Sequence, residues 1–168
     1  MDNYDLIFRR KSFHLFRDAG TISAEDLAAL RQYITEVKPL DDSIRTHVEI
    51  VPESETTCRR GAEYCILFYS EPRGNYLRNI GYIGEQIDLF LAGRNIGALW
   101  FGIGRPAHET AEGLDYVIMI AAAKMPPEKF RKDMFRAKRK PLSEIWSGEL
   151  LPAAEIVRFA PSACNTQP

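Results

Sequence analysis

Asn75 to Gly104 reads NYLRNIGYIGEQIDLFLAGRNIGALWFGIG, and this stretch decides the fold. Leu77, Ile80, Ile83, Ile87, Phe90 and Leu91 recur every three or four residues, the spacing of one apolar helix face. Asn75, after Gly74, stands where an N-cap belongs. Asn95 and Gly97 tolerate positive φ, as a helix exit requires. Ile96 to Phe101 runs on without alternation, which predicts a strand buried on both faces. Gly81 and Gly84 lie inside the helix, where each costs about 0.5–1 kcal/mol relative to Ala. Something is therefore expected to pack close to the backbone there. A flat ligand would fit; a second helix is the commoner cause.

The rest of the chain falls into place around this unit. Residues 2–11 fit a short opening helix, and residues 12–22 are irregular. Ser23-Ala24-Glu25-Asp26 resembles a capping box with Asp for the usual Glu, ahead of an amphipathic helix through Leu27, Leu30, Ile34 and Val37. Residues 46–51 alternate like a strand, and residues 63–69 and 115–123 read as buried strands. Residues 105–113 are loop. Residues 142–146 and 152–159 suit short helical turns. Helices separated from strands in this order predict an α+β fold with a mixed or antiparallel sheet flanked by helices around one long buried helix. At 168 residues, one domain spanning 1–168 is expected.

Composition narrows the function classes. A net charge of −1 gives no electrostatic case for nucleic acid or an acidic membrane surface. No apolar run approaches the ~20 residues of a membrane span, and the N-terminus lacks a signal-peptide core. Cys58, Cys65 and Cys164 are odd in number and form no C-x-x-C, which argues for a reducing compartment and against zinc. The expected location is the cytoplasm. His47 and His108 are isolated and read as surface or packing residues. No H-E-x-x-H, G-x-S-x-G or P-loop occurs, so no side chain stands out as catalytic.

Two stretches could carry chemistry. Arg9-Arg10-Lys11-Ser12 offers two guanidinium groups, an ammonium and a hydroxyl, enough to hold a phosphate dianion. Alone, a basic helix end is more often a solvated face. Ala160-Pro161-Ser162-Ala163-Cys164-Asn165-Thr166-Gln167-Pro168 is a tight polar loop between prolines. Lys129 to Lys140 has seven basic residues in twelve and reads as a solvated face that can donate one or two phosphate ligands.

Together these stretches resemble the FMN-dependent nitroreductase family. Arg10-Lys11-Ser12-Phe13-His14-Leu15-Phe16 is similar to its R-(R/H/K)-S-x-(R/K)-x-F opening. Ala160 to Pro168 is similar to its A-P-S-x-x-N-x-Q-P loop. Gly97 to Trp100 and Arg139 to Ile145 resemble its G-L-G-x-x-W strand and R-K-P-L-x-E-I segment. The loop stands late in the chain, which is similar to the divergent branch called putative TM nitroreductases. That branch continues past the loop, so a sequence ending at Pro168 is expected to be cut short.

The resemblance implies a flavin oxidoreductase that binds FMN. Electrons would pass from NAD(P)H to a nitroaromatic or quinone acceptor by hydride transfer through FMN. It places Arg10, Lys11, Ser12 and Arg139 around the phosphate. The loop residues Pro161, Ser162, Ala163, Asn165 and Gln167 would sit on the ribityl chain or pyrimidine edge, with Cys164 as a small packing residue. Gly102, Ile103 and Gly104 would give backbone N–H groups to the ring. His14 stands where the family usually has Arg or Lys, near the ring edge that gains negative charge on reduction. The family commonly shares one flavin site between two subunits, which implies a homodimer. A non-catalytic FMN-binding or regulatory protein of the same fold, and a cofactor-free interaction domain, are the competing readings.

Overall fold

Strand periodicity builds the sheet. The computed structural model describes residues 2–108, 113–134 and 137–167. In it β1 (Thr46–Pro52), β2 (Tyr64–Ser70), β3 (Ile96–Phe101) and β4 (Asp115–Lys124) form one sheet in the order β1-β2-β4-β3. All three strand pairs are antiparallel. The helices are α1 (Asn3–Arg9), α2 (Ala24–Glu36), α3 (Tyr76–Gly93) and the single turns α4 (Leu142–Ile145) and α5 (Ala154–Val157). The expected α+β class holds. Pro168 of the loop motif, and residues 109–112 and 135–136 of the expected loop and basic segments, lie outside the described residues.

Successive strand side chains point to opposite faces, so register sorts the core into two rows. Cys65 opposite Ala121 and Leu67 opposite Met119 face one side; Ile66 opposite Ile120 and Tyr64 opposite Ala122 face the other. The second row receives Ile80, Ile83, Ile87 and Leu91 of α3 and Leu30 of α2. The first is covered by loop residues, chiefly Phe13, Phe16, Met125 and Phe130. Burying each such large side chain contributes about 1.5–3 kcal/mol. Among the described residues no helix is long and apolar enough to cross a membrane.

The central unit departs from its sequence reading in four details. Leu77 belongs to the apolar periodicity but is 60% exposed, so the buried stripe begins at Ile80. Asn75 occupies the N-cap position of α3 without a side-chain cap hydrogen bond. Asn95 does take positive φ, at 56°, and turns the chain into β3, but Gly97 does not. Gly97 is needed instead for space, because a Cβ there would lie 2.6 Å from Met125 Cγ and 2.8 Å from Phe13 Cδ2. The fourth concerns the helix glycines. Gly84 is covered by neither a helix nor a ligand: a Cβ there would press on the Trp100 ring of β3, with Cζ2 at 3.0 Å and Cζ3 at 3.1 Å. Gly81 has nothing within 4 Å of its would-be Cβ.

The start of the chain is held against this unit. Arg9 donates to Ala92 O at 3.3 Å and to Asn95 Oδ1, tying the end of α1 to the exit of α3. The helix then stops, because Arg10 turns extended at φ −59°, ψ 141°. The extended chain continues alongside β3, where Ser12 bridges Ala98 in parallel and Phe13 N donates to Ala98 O at 3.0 Å. Arg10, Lys11, Ser12 and His14 are thereby fixed at the end of the sheet.

Candidate functional site

A cleft of about 960 Å³ opens where the Arg10–His14 stretch, α3, the end of β3 and the C-terminal loop converge. That is at the upper end of the volume that small-molecule sites occupy. Eleven of the thirteen residues named from sequence line it: Arg10, Lys11, Ser12, His14, Gly102, Ile103, Arg139, Pro161, Ser162, Ala163 and Asn165. Gly104 and Gln167 do not. A Cβ on Gly104 would lie 2.7 Å from Met119 Sδ and from Phe101 Cδ1, and its N–H donates to Phe101 O at 3.2 Å. Gly104 therefore closes a tight turn and has no free N–H to offer. Gln167 is buried behind the cleft, where Oε1 accepts from Lys140 N at 2.7 Å and Nε2 donates to Lys138 O at 3.2 Å.

The loop side chains hold each other as well as facing the cleft. Ser162 Oγ accepts from Gln167 N at 3.1 Å, and Asn165 Oδ1 accepts from Arg139 Nη1 at 3.0 Å. Arg139 Nη2 donates to Phe159 O at 3.0 Å. The loop is wound tightly, with Cys164, Asn165 and Gln167 all at φ between 51° and 56°. Such left-handed non-glycine backbone is costly and persists where surrounding contacts over-determine it. Cys164 is exposed and lines the cleft.

The cleft is rich in cations. Arg10, Lys11, Arg131, Lys138 and Arg139 all line it. Burial lowers the basicity of Lys11, helped by Arg131 and Lys129. Burial and then Arg139 and Arg10 do the same to Arg131, and burial, Arg10 and Arg158 to Arg139. Like charges held together at a cost to Lys11, Arg131 and Arg139 fit an anion site.

Arg10 is the deepest of them. It is 3% exposed, and its Nε donates to Asp88 Oδ2 at 2.6 Å. Trp100 Nε1 donates to the same oxygen at 2.8 Å. Burial works against the Arg10 charge, but Asp88 and Glu85 outweigh it and hold the guanidinium above its ordinary value. Nη2 of Arg10 is buried and has no hydrogen-bond partner among the described residues. Glu85, three residues before Asp88 on the same helix face, also lines the cleft, and its Oε2 is buried and unpartnered.

Leu99, Trp100, Phe101, Ile103 and Ile118 add an apolar wall to the cleft. Gly81 and Gly102 leave bare backbone in that region, each with nothing within 4 Å of a would-be Cβ. Arg60 stacks over the Phe101 ring at 5.3 Å. Glu85, Arg60, Arg131 and, in the apolar wall, Leu99, Trp100, Phe101 and Ile118 were not among the residues expected from sequence. Glu85 and Asp88 do leave a trace there, as two acids three apart in a helix that is otherwise apolar at that end. Among the described residues no cluster of His, Cys, Asp or Glu could hold a metal.

A helix-backed antiparallel sheet with a cleft at the end of β3 defines a nitroreductase fold, and solved structures bear this out. A structure described as a putative nitroreductase from Thermotoga maritima matches with a TM-score of 0.62 at 22% identity, covering 100% of this chain and 70% of that one. A putative nitroreductase in complex with FMN from Desulfovibrio desulfuricans matches at 0.59 and 18% identity, covering 90% of this chain and 99% of that one. A nitroreductase with bound FMN from Desulfitobacterium hafniense matches at 0.58 and 14% identity, covering 74% and 90%. A search of curated proteins finds no match. The family model described as "Putative TM nitroreductase" matches residues 2–168, and the chain belongs to that family.

Proposed function

We propose that this protein is an FMN-dependent oxidoreductase that takes electrons from NAD(P)H and passes them to a small acceptor of the nitroaromatic or quinone type. The observation that carries the reading is the lining of the cleft. The lining combines a buried guanidinium nitrogen without a partner among the described residues, several cations, and bare backbone beside aromatic walls. A phosphate dianion fits the cations and a flat ring the bare backbone. FMN, when bound, supplies the hydride chemistry, which is why no acid, base or nucleophile is required of the protein.

The chain's own residues then bind and orient. Arg10 through Nη2, Ser12 and Arg139 would hold the phosphate, with Lys11 and Arg131 offsetting its charge. Ser162 and Asn165 would meet the ribityl chain while bracing the loop. Trp100 and Phe101 would exclude water behind the ring, and the exposed Ile103 would cover its rim. In this chain the Arg10–Ser12 stretch and the loop meet within one molecule. A homodimer therefore enters the proposal through the family resemblance alone.

Colour is the first test. Purified protein should be yellow or become so with FMN, and should then oxidise NAD(P)H in the presence of an acceptor. Protein that stays colourless after incubation with FMN overturns the reading. Yellow protein inert to NAD(P)H favours a flavin-binding or regulatory role.

His14 gives a further expectation. It is exposed on the cleft lining, where the family's cation would stand. His14→Lys, which puts a permanent cation beside the ring edge that becomes negative on reduction, should raise the midpoint potential of bound FMN. An unchanged potential would show that His14 does not face the ring.

A further inference from the structure

Glu85 Oε2 and Arg10 Nη2 are buried polar atoms at the cleft that have no hydrogen-bond partner among the described residues. Glu85 Oε1 lies 3.9 Å from Arg10 Nε, too far for a hydrogen bond, while Asp88 takes that nitrogen at 2.6 Å. Asp88 is therefore the close counter-ion of Arg10, and Glu85 is a second, more distant acid that shares it. The charged groups around Glu85 are Asp88 on α3, Arg10 after α1 and Arg139 on the segment before α4. Burial and then Asp88 disfavour the Glu85 carboxylate, and Arg10 and Arg139 only partly compensate. The group is pushed up to about 8. Its buried oxygen Oε2 faces the cleft beside the cations while the side chain as a whole is 31% exposed, and in the protonated form it has an O–H to donate.

We propose that Glu85 is a ligand-binding residue of the cleft, one that enters as the neutral carboxylic acid and donates its proton in a hydrogen bond to the ligand phosphate. The proposal rests on the reading of the cleft as a site for a phosphate-bearing flavin. A carboxyl kept neutral by its surroundings so that it can donate a hydrogen bond is an attested device in enzyme sites. Once ionised, Glu85 would repel a phosphate dianion and compete with it for Nη2 of Arg10. The proton balance follows. Below the ionisation of Glu85, the dianion binds with no proton change. Above it, one proton from solvent enters with each dianion and rests on Glu85. Riboflavin, which has the ring and ribityl chain but no phosphate, takes up none.

Binding of FMN and of riboflavin to the full chain between pH 7 and 9.5 tests this. A phosphate monoester has its second ionisation near about 6, so FMN enters as the dianion throughout. FMN affinity should be level to about pH 8 and then fall toward tenfold per pH unit, while riboflavin affinity stays level by comparison. E85Q keeps a donor but cannot ionise, so its FMN affinity, whatever its level at pH 7, should lose the alkaline fall. Burial also lowers Lys11 from its ordinary value, and E85Q separates any contribution of Lys11 from that of Glu85. In wild type, a protonated-carboxyl band should grow in the infrared difference spectrum when FMN is added at pH 9, and not when riboflavin is added. This readout requires no variant to fold. An alkaline fall that persists in E85Q, or equal falls for FMN and riboflavin, overturns the role of Glu85 while leaving the flavin site standing. Failure of FMN to bind even at pH 7 overturns both.

Discussion

Arg10→Ala should destabilise the protein by about 3–5 kcal/mol, the cost of stranding one member of a buried ion pair. Asp88 is 1% exposed, and without Arg10 its carboxylate keeps only the Trp100 N–H, with Glu85 close by as a second acid. Asp88→Ala should cost less. The same Glu85 can then ionise and approach the guanidinium, taking over as counter-ion. Replacing both partners with apolar residues of similar size, Arg10→Met with Asp88→Leu, should recover most of the loss, because two desolvated charges vanish together. Urea denaturation of the two alanine variants and the apolar pair measures this. Equal losses for the two alanine variants would show that Glu85 does not stand in for Asp88. Flavin binding should separate from stability: the apolar pair folds but loses the phosphate ligand on Nη2, so it should favour FMN over riboflavin less than wild type does. Glu85 itself acts on stability with the opposite sign. Its folded value is raised, so the unfolded chain releases its proton first, and folding is penalised as pH rises from the ordinary glutamate range to about 8. E85Q should therefore gain stability over wild type at pH 8 and gain none at pH 4.

This buried pair marks the limit of what the residue pattern discloses. The apolar stripe of α3 and the strands β2, β3 and β4 are local periodicities, and each follows from side chains within a few positions of one another. Arg10-Lys11-Ser12 and the Pro161–Asn165 loop are legible as anion and hydrogen-bonding chemistry, and family resemblance joins them. What a local pattern cannot express is which distant group satisfies a residue. Nothing near Arg10 in the chain says that its Nε will meet Asp88, seventy-eight positions on. Gln167 fits the loop motif as well as Asn165 does, and both bond Lys138 O, yet Gln167 is buried against Lys140 N while Asn165 lines the cleft. Gly102 and Gly104 look alike in G-x-G. Only the packing of Met119 and Phe101 against Gly104 makes one a cleft residue and the other a core residue.

Gly84 and Gly81 should respond to the same substitution with opposite signs. At Gly84, an added methyl would meet the Trp100 ring. That ring cannot slide away cheaply. It stacks on Phe68, with centroids 6.3 Å apart and planes within 6°, and its Nε1 is pinned to Asp88. Gly84→Ala should therefore cost about 1–3 kcal/mol as overpacking, larger than the roughly 1 kcal/mol that alanine returns in helix propensity. It should also loosen the hold of Asp88 on Arg10, so the FMN preference over riboflavin should fall with stability. At Gly81 the methyl meets nothing, and Gly81→Ala should raise stability by up to about 1 kcal/mol. That space is the cleft, however. If the flat ring lies against the helix backbone there, Gly81→Ala should weaken FMN and riboflavin alike, since both carry the ring. Thermal melts of the two variants, paired with titrations of both flavins, decide the matter. A Gly84→Ala protein as stable as wild type would mean that Trp100 does not rest on α3. A Gly81→Ala protein with unchanged flavin affinity would move the ring toward Gly102 and Ile103, away from the helix.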